Sequence, residues 1–298
     1  MTAAAPRVSV GVPVFNGERY LAATLDSLLK QTYPDFELVV CDNASTDRTE
    51  EIARSYAAGD PRVRYVRNPR NVGSAGNYRC VFELARGEYF RWAAADDLFG
   101  AESLARCVDV LDAHPDVVLA YPKTRLIDAA GAAVSDYEDG LHLQSPRPSE
   151  RFRQVLERLG YVNVLYGLAR SAVLRQTGLL GRFVDSDVVF LAELSLHGTF
   201  WEIPEVLFFR RFHEAASSSM SPSEILTFYY ADRGRRLVLR DWRHLVELFR
   251  VAVRAPLSGA ERARVMRLLL RRAAWSRSSL IRELGAAVRH GVLRRATN

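Results

Sequence analysis

A chain of 298 residues has room for one large domain or two ordinary ones, and 48% hydrophobic with 26% charged residues excludes a disordered or fibrous main state. No apolar run approaches the ~18 residues of a membrane span, and Cys41, Cys80 and Cys107 are too scattered for a disulfide framework or a Cys-x-x-Cys metal site. The net charge of +6 is unevenly spread: residues 233–298 carry 17 Arg against Asp241, Glu247, Glu261 and Glu283, a net +13 that leaves −7 for the rest.

At the amino terminus Arg7 directly precedes a Val-rich segment instead of an apolar leader, so the expected location is cytoplasmic. Short Val/Tyr-rich runs then alternate with amphipathic segments. Strands are expected at 8–14, 36–41, 63–67, 89–94 and 117–121, and helices at 18–31, 47–58, 74–86 and 101–113. This alternation implies βαβ units, hence an α/β fold with a mostly parallel sheet that binds ligands at the carboxyl ends of its strands. Beyond 122 the pattern predicts a hairpin around 127–134, a loop over 135–150, a helix over 187–197 and a strand over 200–209. The serine-rich stretch 214–223 reads as a link. Ser221 to Glu224 and Ser258 to Glu261 both fit the capping box, so helices are expected over 223–255 and 260–294. In the second, Leu280, Leu284, Val288 and Val292 recur every four residues among arginines. That basic face suits packing on the acidic body, a homo-oligomer contact, or an anionic membrane at the inner face.

Asp42 closes the second strand, and Asp96 and Asp97 follow the fourth, so a parallel sheet brings all three carboxylates to one edge. Adjacent carboxylates repel unless a cation or hydrogen-bond donors neutralise them, and oxygen donors favour Mg2+ or Mn2+ over zinc.

Four segments together resemble the family 2 glycosyltransferases of the GT-A fold: Val10 to Gly17 (VGVPVFNG), Cys41 to Asp47 (CDNASTD), Asn71-Val72-Gly73 with Asn77, and Ala95-Asp96-Asp97. Their order and spacing match over about residues 7–215. The resemblance implies a GT-A domain over 1–215, with a nucleotide-sugar half to about 97 and an acceptor half from 98, followed by a basic helical region over 216–298. It implies that Pro13, Phe15, Glu18, Asn71, Gly73, Asn77 and Asp96 line the nucleotide-sugar pocket, and that Asp42 accepts a hydrogen bond from a uracil-type base. Asp96, Asp97 and His213 are the implied metal ligands, although the first Asp of the common Asp-x-Asp-Asp pattern is Ala94 here. Asp187 matches the family's general base, while Asp185 reads as the cap of the helix that follows.

The implied reaction moves a sugar from a nucleoside-diphosphate sugar of UDP or dTDP type, with inversion, to a hydroxyl of a glycan, lipid-linked or small-molecule acceptor. A nicotinamide-dependent oxidoreductase would need Gly-x-Gly-x-x-Gly after the first strand, where VPVFNG stands. The alternative from another class is a non-catalytic nucleotide-sugar binding or scaffold protein, which a missing Asp pair or base would favour. A nucleic-acid partner is not expected, because the basic tail lacks interleaved aromatic residues.

Overall fold

The computed structural model describes residues 5–214, 221, 225 and 239–296, the side chains of 289–296 excepted. In β1 (Val8–Val14) the odd-numbered and even-numbered positions part company. Val8, Val10, Val12 and Val14 enter one apolar core with Leu38 and Val40, while Val39 and Cys41 enter a second core on the opposite face. The sheet is therefore buried on both sides, as parallel sheets are. Gly11 faces the second core, where a Cβ would stand 2.8 Å from the Phe90 ring, so only glycine admits that close approach.

β1 lies between β2 (Phe36–Asp42) and β4 (Tyr89–Trp92), and β3 (Val63–Arg67) flanks β2, all in parallel. Register aligns Val14 with Asp42 and Asp42 with Arg67, so these strands end in line. The helices α1 (Leu21–Leu29), α2 (Thr49–Gly59), α3 (Ser74–Glu83) and α4 (Ser103–Ala113) make the crossovers expected from the sequence. β8 (Leu168–Arg170) pairs antiparallel with both β4 and β6 (Val117–Ile127). Two reversals restore the direction, so β6 and its parallel partner β9 (Thr199–Arg211) end on the same edge as β1, β2 and β4. The two-residue β5 (Leu98–Phe99) closes the far side against β9.

The second half departs from expectation. Part of the expected loop at 135–150 forms β7 (Ala133–Tyr137), the return arm of a hairpin with β6, and Pro148 opens α5 (Pro148–Arg158). Proline at a first helical position loses no bond there, and Pro148 marked a start that the polar composition masked. After the short α6 (Ser171–Leu174), α7 (Ser186–His197) is buried on nearly every face.

The expected link at 214–223 and the capping box at Ser221 to Glu224 lie largely outside the described residues, as does most of the helix expected over 223–255; its carboxyl part is α8 (Arg240–Arg254). The helix expected over 260–294 is two, α9 (Gly259–Trp275) and α10 (Arg277–Ala296), separated at Ser276. Ser258 caps α9 by accepting from the Glu261 amide, but Glu261 does not complete the box: its carboxylate accepts from the Ser149 amide at 2.8 Å and so joins α9 to α5. Leu248, Val251, Val265 and Leu269 of α8 and α9 share the core of α5 and α7, which agrees with packing on the acidic body. Among the described residues, no helix is long and apolar enough to cross a membrane.

Candidate active site

The carboxyl ends of β1 and β2 are stitched into one platform. Asn16 and Ala44 both hold left-handed backbone, at φ 51° and 62°, a conformation that persists only where neighbours enforce it. Asn16 donates its amide to Ser45 Oγ and accepts from the Thr46 amide through Oδ1, and Gly17 donates to Thr49 Oγ1. Phe15 stands about half exposed above this platform, with Glu18 exposed beside it and accepting from the Arg48 amide. Pro13 is buried in the strand below.

Several residues read from the sequence as pocket-lining are the pocket's framework. Asn77 is buried, and its side-chain amide donates to the carbonyls of Cys41 (2.9 Å) and Val14 while accepting from Asn68, so its groups fix the strand ends. Asn71 Oδ1 accepts from Asn43 Nδ2 and from the Gly73 amide, and Gly73, at φ 79°, turns the chain into α3. Asp42 is fully buried: one oxygen accepts from the Ser45 amide at 2.8 Å and the other from Tyr65 Oη at 2.8 Å and Arg67 Nη1 at 2.6 Å. Its carboxylate is thus already supplied with donors, and Arg67, one-third exposed, covers it.

The carboxylate pair after β4 divides its work. Asp96 remains one-third exposed, and its Oδ2 lies 2.9 Å from His213 Nε2. Asp97 is buried and accepts from the Arg211 amide at 2.8 Å. Desolvation and the neighbouring charge of Asp96 push the Asp97 carboxyl well above the usual carboxylate range. Asp97, expected from the sequence as a metal ligand, holds the end of β9 through this bond to the Arg211 amide. Among the described residues no cluster of three or more His, Cys, Asp or Glu side chains could hold a metal ion. The Asp96 oxygen, one-third exposed, and the largely buried His213 nitrogen beside it form a pair that suits a hard divalent cation drawing its remaining ligands from phosphate and water. Tyr20, whose ring lies 4.7 Å from that of His213, keeps its hydroxyl buried with no hydrogen-bond partner among the described residues.

Arg211 secures this arrangement. Its guanidinium donates to the carbonyls of Asp96, Asp128 and Ala129, tying the end of β9 to the β6–β7 turn.

Asp187 lies in the first turn of α7 with part of its surface open, while packing around the carboxylate raises its pKa through desolvation and the nearby charge of Asp185. The Val188 amide donates to it at 2.9 Å, and Arg210 opposes the rise. The expectation that Asp185 caps α7 with its side chain is corrected: Asp185 occupies the cap position at φ 64°, but its carboxylate forms a two-pronged pair with Arg240 of α8, at 2.9 Å on each arm.

Two tyrosines and an arginine missed in the sequence join these groups. Burial chiefly, with added charge from Asp96, Asp97 and Asp187, pushes the Tyr78 hydroxyl up to about 12, so all three carboxylates act on one hydroxyl. Tyr166 Oη lies 3.3 Å from it. Arg210 opposes the charges of both Asp97 and Asp187, donates to Asn163 Oδ1 at 2.7 Å, and lies 5.0 Å from the Tyr161 ring. Asn163 in turn donates to Asp139, whose carboxyl burial raises to about 6. Tyr78 on α3, Arg210 on β9 and Tyr166 carry no spacing signal that links them, but Arg67 was discoverable as the opposite charge to Asp42 at the end of an adjacent parallel strand.

A GT-A α/β fold with carboxylates gathered at the strand edge defines a glycosyltransferase-type site. The model of "Glycosyl transferase family 2" matches residues 9–170, more than half of the chain, and the protein belongs to that family. An uncharacterized glycosyltransferase of Rickettsia typhi is 27% identical over 231 residues, covering 74% of this chain and 68% of its own. An uncharacterized protein of Sinorhizobium fredii is 32% identical over 175 residues, 58% of this chain but only 18% of its own length. Among solved structures, S. aureus TarS 1-349 in complex with UDP-GlcNAc aligns over 90% of this chain and 72% of its own, with TM-score 0.64 and 19% identity. The mannosyltransferase PcManGT from Pyrobaculum calidifontis, in complex with GDP-Man and Mn2+, aligns over 99% and 80% with TM-score 0.55 and 21% identity. These structures share the fold.

Proposed function

We propose that the protein transfers a sugar from a uridine- or thymidine-diphosphate sugar to an acceptor hydroxyl with inversion, using Asp187 as the base. The observation that carries this reading is the meeting of Asp96 and Asp187 around Tyr78, one carboxylate partnered by a histidine and the other held at a raised pKa. A hydroxyl is a weak nucleophile until its proton is taken as the new bond forms, and a carboxylate of raised pKa is the stronger base for that task. Attack on the face opposite the leaving diphosphate inverts the anomeric carbon in one displacement. Arg210, whose charge acts on Asp187, adds positive charge where negative charge develops.

The donor binds on the platform at the ends of β1 and β2, with Phe15 offering an exposed ring to the base. Asp42 selects the imide edge of uracil or thymine, and Arg67 is the partner that yields to admit it. Asp96 and His213 would hold a Mg2+ or Mn2+ ion, which supplies Lewis-acid neutralisation of the departing diphosphate. Relatives in structure carry UDP-GlcNAc in one case and GDP-Man with Mn2+ in another, which supports a nucleotide-sugar donor and a divalent ion. The acceptor belongs to the side lined by Tyr161, Asn163 and Arg210, and is a glycan, lipid-linked or small-molecule hydroxyl.

The test is a screen of nucleoside diphosphate release with uridine, thymidine, guanosine and cytidine diphosphate sugars, each with manganese and with excess EDTA. Release from a uridine or thymidine donor, abolished by EDTA and lowered about a hundredfold or more by Asp96→Ala, is the expected result. Full turnover in EDTA, or a cytidine donor used equally well, would overturn it.

A further inference from the structure

We infer that the outward surface of α9 and α10 docks on an anionic lipid bilayer, a conclusion independent of the reaction assigned above. Val265, Leu269 and Leu280 turn inward and are buried. On the other side, Leu270 is 60% and Trp275 76% exposed on α9, and Ile281, Leu284 and Val288 are 66%, 43% and 65% exposed on α10. The spacing of 281, 284 and 288 places the last three on one helical face, and Trp275 stands at the junction where α10 begins. The helix periodicity in the sequence had grouped Leu280 with Leu284 and Val288; the structure removes Leu280, whose backbone carbonyl accepts from Trp242 Nε1 of α8.

Charge identifies the occupant. Along α8 and the first turns of α9 the arginines are engaged: Arg240 pairs with Asp185, Arg243 and Arg250 with Glu247, Arg254 with Glu193 and Arg264 with Glu261, while Arg262 donates to the Ala255 carbonyl. Beyond Arg264 the pairing stops. Arg267, Arg271, Arg277 and Arg282 are exposed and form no ion pair among the described residues, Arg271 lying 5.3 Å from the Trp275 ring. The nearby carboxylates are committed, Glu261 to Ser149 and Arg264, and Glu283 to the amides of Asp241 and Trp242. A second copy on a two-fold axis would set these arginines against their own images with no acid between them. A bilayer with anionic headgroups matches instead: apolar side chains enter the interface, tryptophan lies at headgroup depth, and long arginine side chains reach phosphate.

The full chain is sedimented with vesicles of phosphatidylglycerol and phosphatidylcholine, and with phosphatidylcholine alone, at low and high salt. Docking predicts pelleting with the anionic vesicles only, weakening as salt rises, with a blue shift of tryptophan emission that Trp275→Phe removes. Arg277→Gln and Arg282→Gln each lower partitioning about fivefold, and Trp275→Ser with Ile281→Ser lowers it more than tenfold. Both apolar positions are exposed, so unchanged melting confirms that the variants fold. Absence of pelleting at low salt, or variants that bind as the parent does, would overturn the inference. Lipid-free dimerisation that Trp275→Ser with Ile281→Ser abolishes would also overturn it and assign the face to a second copy.

Discussion

Asp187 and Asp139 are both carboxyl groups pushed upward by burial, and the two shifts have different consequences. A base acts only when deprotonated, so the raised pKa of Asp187 moves the acid limb of the rate profile above the range of an exposed aspartate. Asp187→Asn keeps nearly the same size and is expected to leave donor binding intact while transfer falls by roughly 10²-fold to 10⁴-fold; titration calorimetry of the donor beside initial rates checks both. Asp139 accepts from Thr124 and Asn163, and its other oxygen is buried with no partner among the described residues. Its carboxyl rises from 3.8 to about 6, so the folded state favours the neutral form. The stability this provides is complete below the unfolded value and is lost as pH rises through about 6. Asp139→Asn should therefore stabilise the fold at pH near 8, by ~3 kcal/mol at most, and flatten the pH dependence of stability through that window, as melting temperatures across pH would show. Equal destabilisation by Asp139→Asn at every pH would contradict this reading.

At the scale of elements, the helix that carries the proposed base is packed by helices that the sequence assigns to a separate region. Arg254 of α8 forms a forked pair with Glu193 of α7, and Glu193, 2% exposed, also accepts from the Gly178 amide at 2.9 Å. Arg254→Ala leaves that buried carboxylate with one donor, and because Arg254 itself is about half exposed the expected loss is ~2 kcal/mol in denaturant unfolding. Glu193→Gln, which keeps the Gly178 bond, should cost less. The βαβ half was legible because each of its strands and helices carries its own periodicity: 8–14 and 63–67 were placed to the residue, and α3 and α4 within three. The second half was less legible. The hairpin expected around 127–134 is present as β6 and β7, but β7 runs on to Tyr137 through an exposed stretch held by pairing with β6, which local sequence does not encode. Asp96, Asp97 and His213 were visible as a set, but which of the two aspartates faces outward depends on the Arg211 amide, a partner 114 residues away.

Across the whole molecule, one sheet carries both halves of the site. β1 to β4 deliver the proposed nucleotide platform and Asp96, and the antiparallel insertion of β8 turns β6 and β9 so that Arg210 and His213 reach the same edge. Asp187 meets them from α7, which is packed against α5 and α8 and linked to α8 through Arg240 and Arg254. The central claim, a single displacement with one base opposite the leaving diphosphate, makes a stereochemical commitment. Proton NMR of the first-formed product, with the donor found by the release screen, reads it directly. The account predicts the anomeric configuration opposite to that of the donor, while a first-formed product with the donor's configuration would contradict it.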